Sequence, residues 1–239
     1  RSLIFHKNKL IAYSPPKSLD FDHFKRLYPN FRKLYREEST IEIEMFVEGT
    51  MIMVYYNKEL ESWHTSTRGN IGANCSFFES KTKKTFRNMF DETCNISFLD
   101  INSLDKDYCY IFVMNHPDNR IVSNCKIPEL YLVKVYKIVN NEEDKTFEVF
   151  VLNNLDVLKD DFTSTLVKFP NTELNTKTIR NKLDFVNPTN TINYDIIVNE
   201  TNSYDFNVMG LVIFDKEKEV RIKIRNKNYE YVRLLRGNQ

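Results

Sequence analysis

The sequence predicts an α+β protein in which antiparallel sheets are flanked by a few helices. Alternating or near-continuous apolar runs recur along the chain, and 18 Phe and 13 Tyr among 239 residues suit the half-buried surface of a pleated sheet. Only 5 Gly and 7 Pro are present, which excludes collagen-like and Gly/Pro-rich low-complexity chains. The strand and helix patterns follow no regular βαβ order, so a parallel sheet with crossover helices is not expected.

The first half of the chain is mostly β in pattern. Gly49 interrupts the longest run, which predicts a turn, a bulge or a close backbone approach to a ligand. The patterns predict strands at Leu3–Phe5, Leu10–Tyr13, within 39–56 and at Trp63–Thr67, and helices at Phe21–Tyr28 and Phe77–Phe90.

The second half carries strong signals at its two ends and weak ones between them. Residues 140–200 are the least readable: Phe147–Leu152 fits a strand or a helix, and Thr172–Leu183 fits a helix. Elsewhere the patterns predict strands at Tyr108–Met114, Leu130–Val139, Phe206–Phe214 and Val220–Ile224, and a helix at Asn228–Arg236.

Composition also restricts the class of protein. No apolar run approaches the roughly 20 residues that a bilayer requires, and the first residues lack the pattern of a signal peptide. The four cysteines contain no C-x-x-C pair, so thiols in a reducing compartment are expected and a metal site is not. These observations predict a soluble, cytoplasmic protein with no membrane partner.

Charge is unevenly distributed although the formal net charge is only +1. Residues 1–36 hold nine Lys/Arg against two Asp, and residues 216–239 hold eight Lys/Arg against three Glu. The middle of the chain is therefore acidic. Basic ends can form a face that binds a polyanion, or they can be ordinary solvated surfaces, and the sequence leaves both open.

Several separated segments share their order and spacing with one known family. These segments are Arg1–Phe5 with Pro16-Lys17, Glu48–Ile52, Thr65–Ile71, Tyr110–Val113 with Pro117–Val122, Met209–Ile213 and Arg221–Ile224. They resemble the nucleotidyltransferase domain of phage-type ATP-dependent RNA ligases. The patterns of that family are R-G-h-h-F…P-x-K, K-x-D-G-[ST]-h-h, K/R-G-[ST]-h, F-E-[FY]-V-x-P-x-N-R-I-V, E-G-h-h-h and K-h-K, where h is apolar. The resemblance implies one such domain over residues 1–239, with a divergent insertion at about 140–200.

The chain departs from the family where the chemistry occurs. In the family a lysine attacks the α-phosphate of ATP and forms a lysyl-AMP phosphoramidate, while two glutamates organise metal and ribose. Phe46 stands in the place of the lysine, and no lysine lies between Glu37 and Tyr56. Ile111 and Met209 are read at the two glutamate positions, with two extra residues before Pro117. We expect these three apolar side chains to lie around one cleft floor.

Other positions keep the type of residue that the family uses. The resemblance assigns nucleotide or phosphate binding to Glu48, Gly49, Arg68, Arg120, Arg221 and Lys223. Each has a structural alternative, such as a β-bulge at Gly49 or an exposed turn cation at Arg120. Trp63-His64 suggests base stacking, although such a pair is more often structural.

Three functional hypotheses follow. The first is a catalytically degenerate domain that binds nucleotide or RNA, in a large DNA virus and hence in the cytoplasm of its host. The second is an active ligase or capping-type enzyme that uses ATP with Mg²⁺ and a displaced lysine such as Lys33 or Lys58. The third is a structural protein with protein partners and no nucleotide site.

Overall fold

The computed structural model describes residues 2–29, 41–76, 84–152, 158, 160–170 and 194–236. The strands in these ranges are β1 (Leu3–His6), β2 (Lys9–Tyr13), β3 (Ile41–Met45), β4 (Thr50–Asn57), β5 (Ser62–Ser66), β6 (Tyr108–Asn115), β7 (Glu129–Asn141), β8 (Thr146–Val151), β9 (Gly210–Asp215) and β10 (Val220–Arg225). The α-helices are α1 (Phe21–Leu27), α2 (Phe86–Ile96), α3 (Tyr194–Ser203) and α4 (Lys227–Arg236). Every strand pair is antiparallel, so the predicted α+β class is confirmed.

The chain divides into two compact units, each built from two segments. Unit 1 contains Arg1–Pro15 and Glu48–Phe169, and unit 2 contains Pro16–Val47 and Pro170–Gln239.

Unit 1 is centred on a five-stranded sheet of order β5-β4-β6-β7-β8. On β4, Ile52 and Val54 face a core that includes α2, whereas Met53 and Tyr55 face a second core that includes the β1–β2 hairpin. Both faces of the strand are therefore buried, which explains its near-continuous apolar run. The side chain of Asn140 also exchanges two hydrogen bonds with the backbone of Leu10, of 2.8 and 2.9 Å, and attaches the hairpin to β7.

Helix α2 begins later than the sequence pattern indicated. Thr85 caps it, accepting from the backbone N–H of Asn88, whose side chain in turn accepts from the N–H of Thr85. This reciprocal pair fixes the start of the helix. Phe86, Phe90 and Cys94 then share its buried face. The helix ends at Ile96, so the predicted extent, 77–90, was wrong at its carboxyl end. Residues 77–83 lie outside the described ranges.

Unit 2 contains a three-stranded sheet of order β10-β9-β3. Its core joins the apolar face of this sheet to Phe24 of α1, to Tyr28 directly after that helix and to Ile197 of α3. The Tyr28 hydroxyl donates to the buried carboxylate of Asp215, and burial raises the pKa of Tyr28. On β10, Ile222 and Ile224 are buried while the alternating basic side chains lie on the other face.

The remaining predictions differ from the structure mainly at element boundaries. Phe147–Leu152, left open between strand and helix, belongs to strand β8. The predicted strand at Phe206–Phe214 begins only at Gly210, because a turn precedes it. Thr172–Leu183 lies outside the described residues. No helix in the described ranges is long and apolar enough to cross a membrane.

Candidate functional site

Glu48 is a buried carboxylate that holds a loop. Its side chain is 6% exposed, and its oxygens accept hydrogen bonds of 3.1–3.2 Å from the backbone N–H groups of Val122 and Ser123. Those two residues end and follow the N-R-I-V segment. The Glu48 carboxylate therefore accepts from two backbone N–H groups that no backbone carbonyl of the described residues satisfies.

A second hydrogen bond joins the same two segments. The buried side-chain amide of Asn119 donates to the Thr50 hydroxyl at 2.8 Å. Next to it, the Nδ1 atom of His116 accepts from the N–H of Asp118 at 3.1 Å and shapes a 3-10 turn. Burial lowers the pKa of His116, which favours the neutral ring that can accept this bond. The family-like segments at 48–52 and 117–122 thus form one connected structure.

Gly49 is required by a close approach of two backbones. Its φ is +144°, and a Cβ atom at this position would lie 2.3 Å from the carbonyl oxygen of Met114 on β6. No L side chain fits that space without displacing the strand. The glycine therefore permits a close approach to β6, whereas the approach to a ligand that the sequence suggested stays a prediction.

Ile111 and Val113 both lie on β6, with different surroundings. Ile111 is fully buried in the core that includes the β1–β2 hairpin. Val113 pairs with Met51, is only partly buried, and its Cγ1 atom lies 2.9 Å from where a Gly49 Cβ would stand. Counted back from Asn119 without a gap, the glutamate of the family pattern also falls on Val113. Sequence reasoning passed over this position because it introduced two extra residues before the proline.

Arg68 and Arg120 are exposed cations of unit 1. The guanidinium of Arg120 donates to the carbonyl oxygen of Val122 at 3.3–3.4 Å, which leaves most of its donors toward solvent. Arg68 precedes Gly69 in the turn after β5, and its carbonyl oxygen accepts from the Ser2 hydroxyl. Both side chains are accessible to an anion.

Phe46 and Met209 lie next to each other on the sheet of unit 2. The N–H of Phe46, just past the end of β3, donates to the carbonyl oxygen of Gly210 at 2.9 Å, and Met209 directly precedes that glycine. Both side chains are partly exposed. These two of the three substituted positions are therefore close together, whereas Ile111 belongs to the core of unit 1. The grouping of all three stays a prediction.

The Phe46 ring lies beneath cations of β10. The ammonium of Lys223 is 4.4 Å from the ring centroid, and the guanidinium carbon of Arg225 is 5.9 Å away. Both distances suit a cation–π interaction. Arg225 was absent from the predicted site, although its alternation with Lys223 on one strand could have identified it.

Arg221 has a structural task as well. Its Nη2 atom donates to the carbonyl oxygen of Pro16 at 2.9 Å, and its own carbonyl oxygen accepts from the N–H of Leu19 at 2.8 Å. Arg221 therefore attaches the segment before α1 to β10. Lys223 and Arg225 are the more exposed cations of this strand.

The residues present do not fit a Mg²⁺–ATP complex of the family type. Phe46 cannot be a nucleophile, and Met209, Ile111 and Val113 supply no oxygen to a hard cation. Within the described ranges, no three His, Cys, Asp or Glu residues are grouped as a metal site would need. We therefore assign no step to a metal or to ATP.

Of the four cysteines, Cys94 and Cys109 are poor alternative nucleophiles. All are free thiols, and Cys94 and Cys109 are buried, which raises the pKa of each to about 12. A thiol with so high a pKa carries almost no thiolate at neutral pH.

Comparison with known proteins agrees with this geometry. No protein-family model matches the chain. Over 110 residues, 43% of this chain and 24% of the relative, it is 34% identical to an RNA ligase of Rhodothermus phage RM378. The chain thus spans about a quarter of that phage protein.

Solved structures show the same fold. A Naegleria gruberi RNA ligase variant with ATP and Mn has a TM-score of 0.55 at 13% identity, covering 92% of this chain and 58% of that chain. A second variant of that ligase, in the apo form, has a TM-score of 0.51 at 12% identity, covering 95% and 60%. The chain therefore has the fold of an RNA-ligase-like nucleotidyltransferase domain.

Proposed function

We propose that this chain is a catalytically degenerate RNA-ligase-like domain that binds nucleotide or RNA through phosphate and forms no lysyl-nucleotide intermediate. The observation that supports this best is Phe46 at the position of the nucleophile, with the Lys223 ammonium 4.4 Å above its ring. A lysine in that place would repel Lys223 and Arg225, whereas an aromatic ring attracts them. The substitution thus removes the nucleophile while keeping the basic strand.

The motif residues that remain support a binding role over a catalytic one. Glu48 accepts two backbone hydrogen bonds, and Gly49 and Gly210 permit close backbone contacts. Glu48 and Gly49 maintain the fold of unit 1, and Gly210 maintains that of unit 2. The exposed cations Arg68, Arg120 and Lys223 remain as donors to phosphate, without an acidic metal site beside them to repel it.

An active ligase would need a displaced lysine. Lys58 is exposed in the turn after β4, and its Nζ atom lies 2.6 Å from the Asp107 carboxylate. Glu48 and Gly49 precede the opposite end of that strand, so roughly 26 Å of extended chain separates Lys58 from them. Lys33, the other candidate, lies outside the described residues. This separation makes Lys58 a poor substitute.

Incubation with labelled ATP or GTP and a divalent metal should leave no covalent nucleotide on the protein. The reason is that Phe46 cannot form a phosphoramidate and the nearby substituted positions bind no metal. A denaturing gel with a known active RNA ligase alongside measures this. An acid-labile label on this chain would refute the proposal, and its loss in Lys58→Ala would locate the displaced nucleophile.

Labelled single-stranded RNA should bind weakly and without sequence preference, and binding should weaken steeply with salt. Each phosphate contact contributes about −0.7 to the log–log salt slope for a single strand. We therefore expect Lys223→Ala/Arg225→Ala to make the slope about 1.4 shallower, because two contacts are lost. Fluorescence anisotropy at several salt concentrations measures both slopes.

A matched variant separates a specific contact from net charge. Arg26→Ala/Lys227→Ala removes the same charge from exposed positions of unit 2 and should leave the slope nearly unchanged. Equal effects of the two double variants would mean that only net charge matters. No RNA or nucleotide binding at low salt by a folded protein would favour the structural-protein hypothesis instead.

A further inference from the structure

A cavity of about 640 Å³ lies within unit 1, among the β4–β5 hairpin, the carboxyl-terminal part of α2 and the short turn at Ile101–Ser103. Its volume is in the usual range of about 300–1,000 Å³ for small-molecule sites. Glu48, Gly49, Arg68 and Arg120 do not line it. The phosphate contacts proposed above therefore make no use of this space.

Two aromatic side chains line one side of the cavity, with their ring planes 66° apart. Tyr56 and Trp63 are cross-strand partners whose ring centroids are 5.4 Å apart, and both are partly exposed. The indole Nε1 atom of Trp63 is buried and has no hydrogen-bond partner among the described residues. The ring packs against the core of unit 1 and lies 6.4 Å from the Tyr110 ring, centroid to centroid, so packing rather than a hydrogen bond at Nε1 holds its orientation.

The polar lining carries charges of both signs with an excess of one carboxylate. It contains two cations, Arg87 and Lys106, against three carboxylates, which are Glu61, Asp91 and Asp100. The Nε atom of Arg87 donates to both Asp91 oxygens at 2.8–2.9 Å, so this pair is already neutralised. Such a lining does not attract a polyanion into the cavity. It suits a neutral group with hydrogen-bond donors and acceptors along its edge.

Lys106 marks where a charge on the ligand would lie. It is exposed, and its ammonium stands 4.6 Å from the centroid of the Tyr56 ring. Because the ammonium lies over the Tyr56 ring, a base would stack on Trp63, and the ammonium can contact the phosphate attached to that base.

We propose that this cavity binds one unpaired nucleobase against Trp63, with the adjoining phosphate on Lys106. The ligand is a free nucleotide or an unpaired nucleotide of a single strand. The choice of a nucleobase among flat heteroaromatic groups rests on the proposed function. This site contacts the face of a base, whereas the cations of β10 contact the phosphates of the nucleic-acid backbone.

Trp63 is the only tryptophan of the chain, so its fluorescence reports directly on the cavity. Adenosine should quench it saturably, and adenosine 5′-monophosphate should bind about fivefold more tightly at low salt. Lys106→Ala should abolish the difference between the two probes. Absent or non-saturating quenching with both probes would overturn the proposal, and equal affinities in the unaltered protein would overturn the role of Lys106.

A cavity-filling variant tests the location independently. Asn95 is an exposed lining residue of α2, so Asn95→Phe should fill the space without disturbing the core, and Asn95→Ser should leave it open. Equilibrium dialysis with labelled adenosine should show at least tenfold weaker binding for Asn95→Phe and near-normal binding for Asn95→Ser. Unaltered binding by a folded Asn95→Phe protein would refute the site.

Two further experiments are needed. The first distinguishes this site from the phosphate contacts of β10, and the second distinguishes a free nucleotide from a nucleotide of a strand. Lys223→Ala/Arg225→Ala should retain adenosine binding, so that failure of the backbone contacts is distinguishable from failure of this site. A short oligoadenylate that competes with adenosine indicates a strand as the source. Failure to compete while the monophosphate binds indicates a free nucleotide.

Discussion

Replacing Gly49 or Gly210 with alanine should destabilise the unit that contains it by roughly 3 kcal/mol or more. Both glycines have a φ of +144°, and both pass very close to a neighbouring strand. A Cβ atom would lie 2.3 Å from the carbonyl oxygen of Met114 at Gly49, and 2.1 Å from that of Ile224 at Gly210. Backbone atoms cannot yield as the end of a side chain can, so the strain must appear as lost stability.

Urea unfolding measures this effect unit by unit. Trp63 fluorescence reports on unit 1 and so on Gly49→Ala, whereas far-UV circular dichroism with hydrogen exchange is needed for Gly210→Ala. Gly69→Ala is the matched control, because Gly69 also belongs to a family-like turn but has nothing within 4 Å of its Cβ position. A stability loss at Gly69 equal to that at Gly49 would contradict the close-approach explanation.

Ile111→Glu should unfold unit 1 or destabilise it by roughly 4 kcal/mol or more, because it places a carboxylate in a closed apolar core. The side chain of Ile111 is 0% exposed among Met53, Tyr55 and Tyr136. Val113→Glu should be tolerated within about 2 kcal/mol, since that position is only partly buried. Urea midpoints followed by Trp63 fluorescence compare the two variants.

Glutamine variants at the same two positions distinguish charge from size. Ile111→Gln should cost less than Ile111→Glu, while Val113→Gln and Val113→Glu should be similar. This pattern would identify Val113 as the position that can accept the glutamate of the family pattern. A well-folded Ile111→Glu protein would instead restore Ile111 to that role.

An element of the fold was predictable from the sequence when the apolar pattern within that element was sufficient to define it. The alternating pattern of β10 and the spacing of α1 are set by burial of one face, so sequence periodicity was sufficient to find them. The start of α2 depends on the capping pair Thr85 and Asn88, a signal that is weaker than the apolar pattern before it. Strand β8 shows little burial, so periodicity could not separate strand from helix there.

The sequence was informative about the candidate site where the role depends on the type of residue. It was not informative where the role depends on hydrogen-bond partners that are distant in sequence. The assignment of Phe46 to the position of the nucleophile comes from the sequence alone and stays a prediction. The roles of Glu48 and Arg221 could not, because they depend on the amides of Val122 and Ser123 and on the carbonyl of Pro16, contacts that no local pattern encodes. The same holds for the placement of Lys223 over Phe46.

The division of each unit between two segments of chain has a consequence during synthesis. Among the strands that the structure describes, β3 pairs only with β9. The partner of Ile43 is Ile213, which the ribosome adds 170 positions later. Until then, the apolar residues Ile41 and Ile43 have no sheet to join, and an unpaired strand of this kind favours association between nascent chains. Glu42 and Glu44 alternate with them and supply like charges that oppose such association. The yield of folded protein should therefore depend on how quickly the segment that carries β9 and β10 follows, a kinetic requirement that neither unit's own stability reveals.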